Sequence, residues 1–226
     1  MDGSFWREIA SAVVATSNKW TAEQGRSDSI LAAFAEFHSR LRLLSTDEIY
    51  DESLGAFAHF ADALPRLRAK HLNGMDNLTR ALRASVDKFK ILQDELAHTH
   101  ERAWKRHASC AAQLPPEPAS EPVASSVGAG RGRAAQPVLM PPVFECLNWL
   151  GELDAMFSDA LFQKVQLLER IGCGIEPESL TKLQLLWRLQ PDLRPAALDT
   201  WRAFATSLQL APEDRGADCL HSTSLL

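Results

Sequence analysis

Apolar positions recur at spacings of three and four along almost the whole chain. In the first 44 residues Trp6, Ile9, Val13, Thr16, Trp20, Glu23, Ser27, Ile30, Phe34, Phe37, Leu41 and Leu44 keep that alternation without a gap. Residues three and four apart share one face of a helix, so the run reads as a single helical stripe. The stripe is weak in its middle, at Thr16, Glu23 and Ser27, with Gly25 beside them. Glycine costs a helix interior only about 1 kcal/mol relative to alanine. One helix of about 40 residues, roughly 60 Å long, is therefore favoured over two helices broken between Gly25 and Ser27. Ser45-Thr46-Asp47-Glu48 has the form of a capping box and predicts a new helix start. Leu54, Phe57, Phe60 and Leu64 follow, then Pro65, which lacks a backbone donor and is expected to end or kink that helix. Beyond it Leu67, His71, Met75, Leu78, Leu82, Val86, Phe89, Leu92, Leu96 and Ala103 carry helical spacing to about His107, with Asn73-Gly74 offering a second interruption.

The pattern stops at Gln113. From there to Pro137 the text is QLPPEPASEPVASSVGAGRGRAAQP, whose five prolines and three glycines leave too little apolar surface to offset the entropy of ordering the chain. It reads as a linker. Pro141 and Pro142 then pre-set the backbone for another helix start. After them Leu147, Leu150, Phe157, Leu161, Val165, Leu168 and Ile171 form a new seam, with Asp154 and Lys164 as polar intruders on or beside it. Gly172 and Gly174 are expected to stop this helix by adopting positive φ. A short helix restarts at Pro177 with Leu180, Leu183, Leu186, Trp187 and Leu189, and a last one from about Asp192 to Leu210 presents Leu198, Trp201, Phe204, Ala205 and Leu208. No stretch alternates with period two over five or more residues. The prediction is an all-α protein of long antiparallel, coiled-coil-like helices plus a C-terminal segment of shorter ones. Its divisions are residues 1–112, a disordered linker at 113–140, a helical region at 141–211 and a flexible tail at 212–226.

Composition narrows the function classes. The chain has 226 residues, enough to bury a real core in one or two domains. No apolar run approaches the roughly 18 residues that would span a bilayer, and the start MDGSFWREI reads as neither a secretory signal nor a myristoylation site. The four cysteines lie far apart with no C-x-x-C pair, which fits free thiols in a cytosolic or nuclear protein. A net charge of −5 argues against a general nucleic-acid coat. The region from Leu64 to His107 nevertheless carries ten Lys/Arg against five acids. Mixed charge on a helix is ordinarily a solvated face; the sharper reading is contact with an acidic partner or RNA, for which stacking aromatics are too few.

Reaction chemistry finds no foothold in the residues. There is no P-loop, and the Gly-Arg text at Gly128 lies in the Pro-rich linker rather than between strand and helix. His98, His100 and His107 with Cys110 lack the i, i+4 spacing of a helical zinc site, since positions 98 and 100 point about 200° apart on a helix. No catalytic, cofactor or metal residue is assigned. Six tryptophans against one tyrosine serve equally as core anchors or as interface hot spots. The N-terminal seam outreaches the short C-terminal helices, so either a partner helix covers part of it or the 64–107 helix folds back on it. The candidates for a partner interface are accordingly Trp6, Trp20, Phe34, Phe37, Leu41, Trp149, Leu150, Trp187 and Trp201.

The layout also resembles a known family. The long N-terminal helix, the segment FAHFADALPRLRAKHLNGMDNL, the helix ending ERAWKRHA, the linker and then PPVFECLNWLGELDAMFSDALFQKVQLLERI are similar to the AIRIM family of ribosome maturation factors. The most specific parts are Trp149 to Asp154 and the KVQLLERI run from Lys164 to Ile171. After Gly174 the chain departs from that pattern in a longer ending, LQLLWRLQPDLRPAALDTWRAF, which is similar to the CINP family, whose members are associated with AIRIM proteins. The resemblance implies a non-enzymatic adaptor without cofactor, found in cytoplasm and nucleus. Its implied partners are a CINP-like helical protein and a hexameric AAA+ ATPase acting on large ribosomal subunit precursors and on chromatin-bound replication assemblies. It implies no membrane and no direct sequence-specific nucleic-acid contact. The rival is a structural coiled-coil subunit of a tethering or cytoskeletal assembly, for which the same heptads would suffice.

Overall fold

The computed structural model describes residues 3–44, 62–112, 142–190 and 193–210. The expected capping box at Ser45, the helix through Leu54 to Phe60, the linker and the tail lie outside those residues. Five helices and no strand occur among the described residues: α1 (Gly3–Leu43), α2 (Ala63–Ala112), α3 (Val143–Glu169), α4 (Pro177–Leu189) and α5 (Pro195–Leu210). The all-α expectation holds. α1 is one unbroken helix of 41 residues. It passes through Gly25, where an added Cβ would meet nothing.

One expected interruption of α2 is absent. Pro65 falls in the first turn of the helix, where its missing N–H would have had no intrahelical partner, so it opens α2, and the preceding helix that it is expected to end or kink lies outside the described residues. The helix continues through Asn73-Gly74. Gly74 serves packing rather than bending, because a Cβ there would come within 2.6 Å of the Phe37 ring. The end of α3 is likewise different from expectation. Arg170 caps it in the right-handed region, its N–H on the Leu167 oxygen and the next N–H, of Ile171, on the Leu168 oxygen, and neither Gly172 nor Gly174 takes positive φ. The left-handed turn comes later, at Gln190 with φ 38°, where α4 ends. α4 itself starts at Pro177, as the sequence predicts, and α5 starts at Pro195.

Cross-helix contacts give the topology. α1 and α2 are antiparallel, with rungs at Phe37–His71, Glu23–Ser85, Lys19–Glu95 and Glu8–Arg102. α3 returns along α2, where Asp154 faces Gln93 and His100. α4 and α5 then run back along α1 in succession, marked by Gln184 on the Leu31 carbonyl, Trp187 on Ser27, Trp20 on Gln190, and Arg7 on the Leu208 carbonyl. The result is an up-down-up-down bundle whose fourth rod is made of two short helices. Among the described residues α1 and α2 alone continue past Phe34 and before Met75 as a two-helix arm, with Phe37 and Leu41 still packed against the core.

The core falls into two clusters. The first gathers Trp6, Ile9, Val13 and Trp20 with Phe89, Leu96, Leu150, Phe157, Trp201 and Phe204. The second gathers Leu31 and Phe34 with Met75, Leu82, Leu167, Leu180, Leu183 and Trp187. Between them lies a polar waist of buried Ser17, Ser27, Ser85 and Lys164. This is the stretch where the α1 stripe is weakest in sequence, and two of the groups that weaken it find partners on other helices: Ser85 donates to Glu23 at 2.7 Å and the Trp187 indole to Ser27 at 3.0 Å.

Candidate functional site

The residues nominated as partner contacts are mostly core. Trp6, Trp20, Phe34, Leu150, Trp187 and Trp201 are buried, while Phe37, Leu41 and Trp149 are half-buried. Of the two ways to cover the α1 seam, the fold takes the internal one. Trp20 shows why. Its ring lies 4.5 Å from both Phe89 and Phe157, and its N–H donates to Gln190 Oε1 at 2.9 Å. One side chain thereby joins α1, α2, α3 and the turn after α4.

Lys164 is the other junction. Its ammonium is 1% exposed, donates to Gln24 Oε1 at 2.5 Å, and reaches the Trp187 carbonyl at 3.4 Å. It sits over the Phe89 ring at 4.8 Å and the Trp187 ring at 4.6 Å. Electron-rich ring faces replace part of the lost hydration. Burial still dominates and pushes the Lys164 pKa down to about 7, with the Asp28 carboxylate pulling the other way. Asp28 in turn is raised by its own burial, against the pull of Lys164 and Arg188. The sequence marks Lys164 as an intruder on an apolar seam, but the partners that make it tolerable come from three other helices.

Four outward features could meet another molecule. A cleft of about 240 Å³ between α3 and α5 is lined by Trp149, Glu152, Arg194, Thr200 and Trp201, and the buried Trp201 N–H has no acceptor. A cleft of about 410 Å³ beside α4 is lined by Leu167, Ile175, Leu183 and Leu186 with Arg170 and Lys182 at its rim. Next to it Leu185, Leu186 and Leu189 stand exposed on α4. α4 is therefore apolar on two faces, a feature visible as excess leucine in LQLLWRL but not resolvable there into inside and outside. The third feature is the arm, where Leu67 and Leu72 are 38% and 39% exposed. Near the opposite end, Trp104 is half exposed beside His107, and Phe5, Arg106 and Val143 edge a cleft of about 230 Å³. His100 pairs with Asp154 at 3.3 Å across α2 and α3 and lies against Gly151. Among the described residues no three His, Cys, Asp or Glu side chains converge as a metal site would require, and no helix is long and apolar enough to cross a membrane.

Fold and surface together define a split four-helix bundle with a projecting helical hairpin and apolar groups left at its outer edges. The chain belongs to the CA109-like family, described as ribosome biogenesis protein C1orf109-like, whose model matches residues 4–204. This is the AIRIM family of the resemblance. The match runs through α4 and into α5, so the ending after Gly174 lies within the family. A comparison with curated proteins found no match.

Proposed function

We propose that this ribosome biogenesis protein works as a non-enzymatic adaptor: a helical subunit that holds a CINP-like protein and a hexameric AAA+ ATPase together during maturation of the large ribosomal subunit. The observation carrying the proposal is membership of the ribosome biogenesis family over nearly the whole bundle. Physical character agrees in kind. Most aromatic anchors are committed to the core, and the apolar groups left outside are leucines on α4 and on the arm together with Ile91, Trp104, Phe144 and Phe162. Such surfaces dock other helices. Contact with the pre-ribosome runs through the partners, without sequence-specific reading of RNA, and the protein operates in nucleus and cytoplasm. A role on chromatin-bound replication assemblies extends the same adaptor activity.

Purification of the tagged full-length chain from cells tests this. Stoichiometric recovery of a CINP-like protein and an AAA+ ATPase, with large-subunit precursors accumulating on depletion, is the expected result. Recovery of tethering or cytoskeletal subunits alone would sink the proposal in favour of a structural coiled-coil role.

A further inference from the structure

α4 has 13 residues, against 27 in α3 and 41 in α1. Helices of that length are marginal on their own in water, so α4 is helical because it is docked. Its inward face places three buried side chains, Leu180, Leu183 and Trp187, on the second core cluster. The rest of its attachment is polar. The Trp187 carbonyl, one of the last four of the helix, accepts from Gln24 of α1 at 2.9 Å and from Lys164 of α3 at 3.4 Å, while the Trp187 indole donates to Ser27. The first core cluster, by contrast, contains no residue of α4 and stays whole without it.

Two features oppose the docking. Beneath Trp187 the Lys164 ammonium is held out of water, and lifting α4 would return hydration to it. At the far end Gln190 takes φ 38°, a left-handed conformation whose strain an undocked chain relaxes. The segment leading into α4 can turn, because Gly172 and Gly174 have open space where a Cβ would stand.

We propose that α4 is a latch that opens as a unit ahead of the rest of the bundle, and that Lys164 takes up a proton from water when it does. The folded value of about 7 moves back toward the ordinary lysine value near 10.4 once α4 lifts. Raising the pH above 7 therefore closes the latch by up to about tenfold per unit, and below 7 the effect levels off. The charged groups around Lys164 fit this sign. Asp28 faces it from α1 and Arg188 of α4 acts on Asp28, while α2 presents the Phe89 ring, its Lys88 being drawn to Glu23 of α1 at 3.3 Å. Asp28 is raised by burial, and so is Cys146, pushed up to about 11. Both hold protons more tightly when folded, so each lowers stability as pH rises and neither can imitate the lysine.

Hydrogen exchange of the full-length chain, resolved by residue and corrected for intrinsic rates, tests the latch. Amides from Leu183 to Leu189 should be at least about tenfold less protected than those of α1 and α2 around Trp20 and Phe89, since sub-global units open before the whole. Their protection should rise at least about fivefold from pH 7 to pH 8.5 and change within about twofold from pH 6 to pH 7. Lys164→Met should lack the rise. In the natural chain an N-hydroxysuccinimide ester should find Lys164 protected from acylation to the same degree as the α4 amides, and less than the core amides. This readout decides the matter even if the variant folds poorly. Protection of α4 equal to that of the core overturns the proposal, as does acylation of Lys164 only at the level of core opening. A level response between pH 7 and pH 8.5, or a rise that persists in a folded Lys164→Met, overturns the coupling to Lys164 and the proposal with it.

Discussion

The bundle and the arm are built from the same two helices, yet they treat side chains in opposite ways. In the bundle a lysine, Lys164, is 1% exposed, while in the arm two leucines, Leu67 and Leu72, stay 38% and 39% exposed. The difference is the number of neighbouring helices. Where four rods meet, any side chain on an inward face is enclosed, and a charged one must find acceptors and ring faces there. Where only two meet, an apolar stripe is half covered however regular its spacing. Periodicity therefore names a face, and the count of neighbours decides whether that face is a core.

The largest expected effect breaks the bundle side of the comparison. Trp20→Ala removes the ring between Phe89 and Phe157 together with the hydrogen bond to Gln190. Large aromatic truncations in cores cost about 3–5 kcal/mol, and chemical denaturation should show a loss of that size. A smaller loss would mean that the junction collapses onto the space.

Lys164 sharpens it next, with the opposite sign. Replacing a buried charged group by an apolar one of similar volume is often neutral or stabilising by about 1–4 kcal/mol. Lys164→Met should accordingly leave the fold intact and raise its stability, whereas a clear loss would show that the bonds to Gln24 and Trp187 outweigh the cost of desolvation. The same group gives a pH dependence. Its folded pKa of about 7 lies below the ordinary lysine value near 10.4. Between those values the unfolded chain holds a proton that the folded chain does not, so stability rises with pH from 7 toward 10, by up to about 1.4 kcal/mol per unit, and is flat in this contribution below 7. Denaturation at pH 7 and pH 9 should show the increase in the natural protein and not in Lys164→Met.

The smallest effect belongs to the arm. Leu67→Glu alters a side chain that is 38% exposed and that no third helix among the described residues covers, and stability should move by no more than about 0.5 kcal/mol, as for other surface substitutions. A thermal melt lowered as much as that of a core variant would place Leu67 in a covered interface of the isolated chain.

Much of this was legible in the chain. The three-and-four spacing of α1, the proline starts of α3 and α4, and the seam through Leu147, Leu150 and Phe157 follow from local rules that neighbours do not overrule. Helix ends were less legible. Gly172 and Gly174 carry the signature of a left-handed stop, but the left-handed residue is Gln190, whose side chain accepts from Trp20 on α1, a contact from across the fold. Asn73-Gly74 reads as a break because the sequence does not show that the glycine makes room for Phe37.

By itself, then, the sequence determined the class of structure and the face each helix would hide, since backbone hydrogen bonding and 3.6-residue periodicity are local. Only the tertiary structure decided that Trp6, Trp20, Phe34, Trp187 and Trp201 close the protein's own core rather than meet a partner. It also decided that the polar residues in the middle of α1 form a waist with Ser85, Lys164 and Trp187. The reason is physical: burial depends on which faces of other helices arrive at the same height, and that is fixed by the lengths and ends of all five helices together.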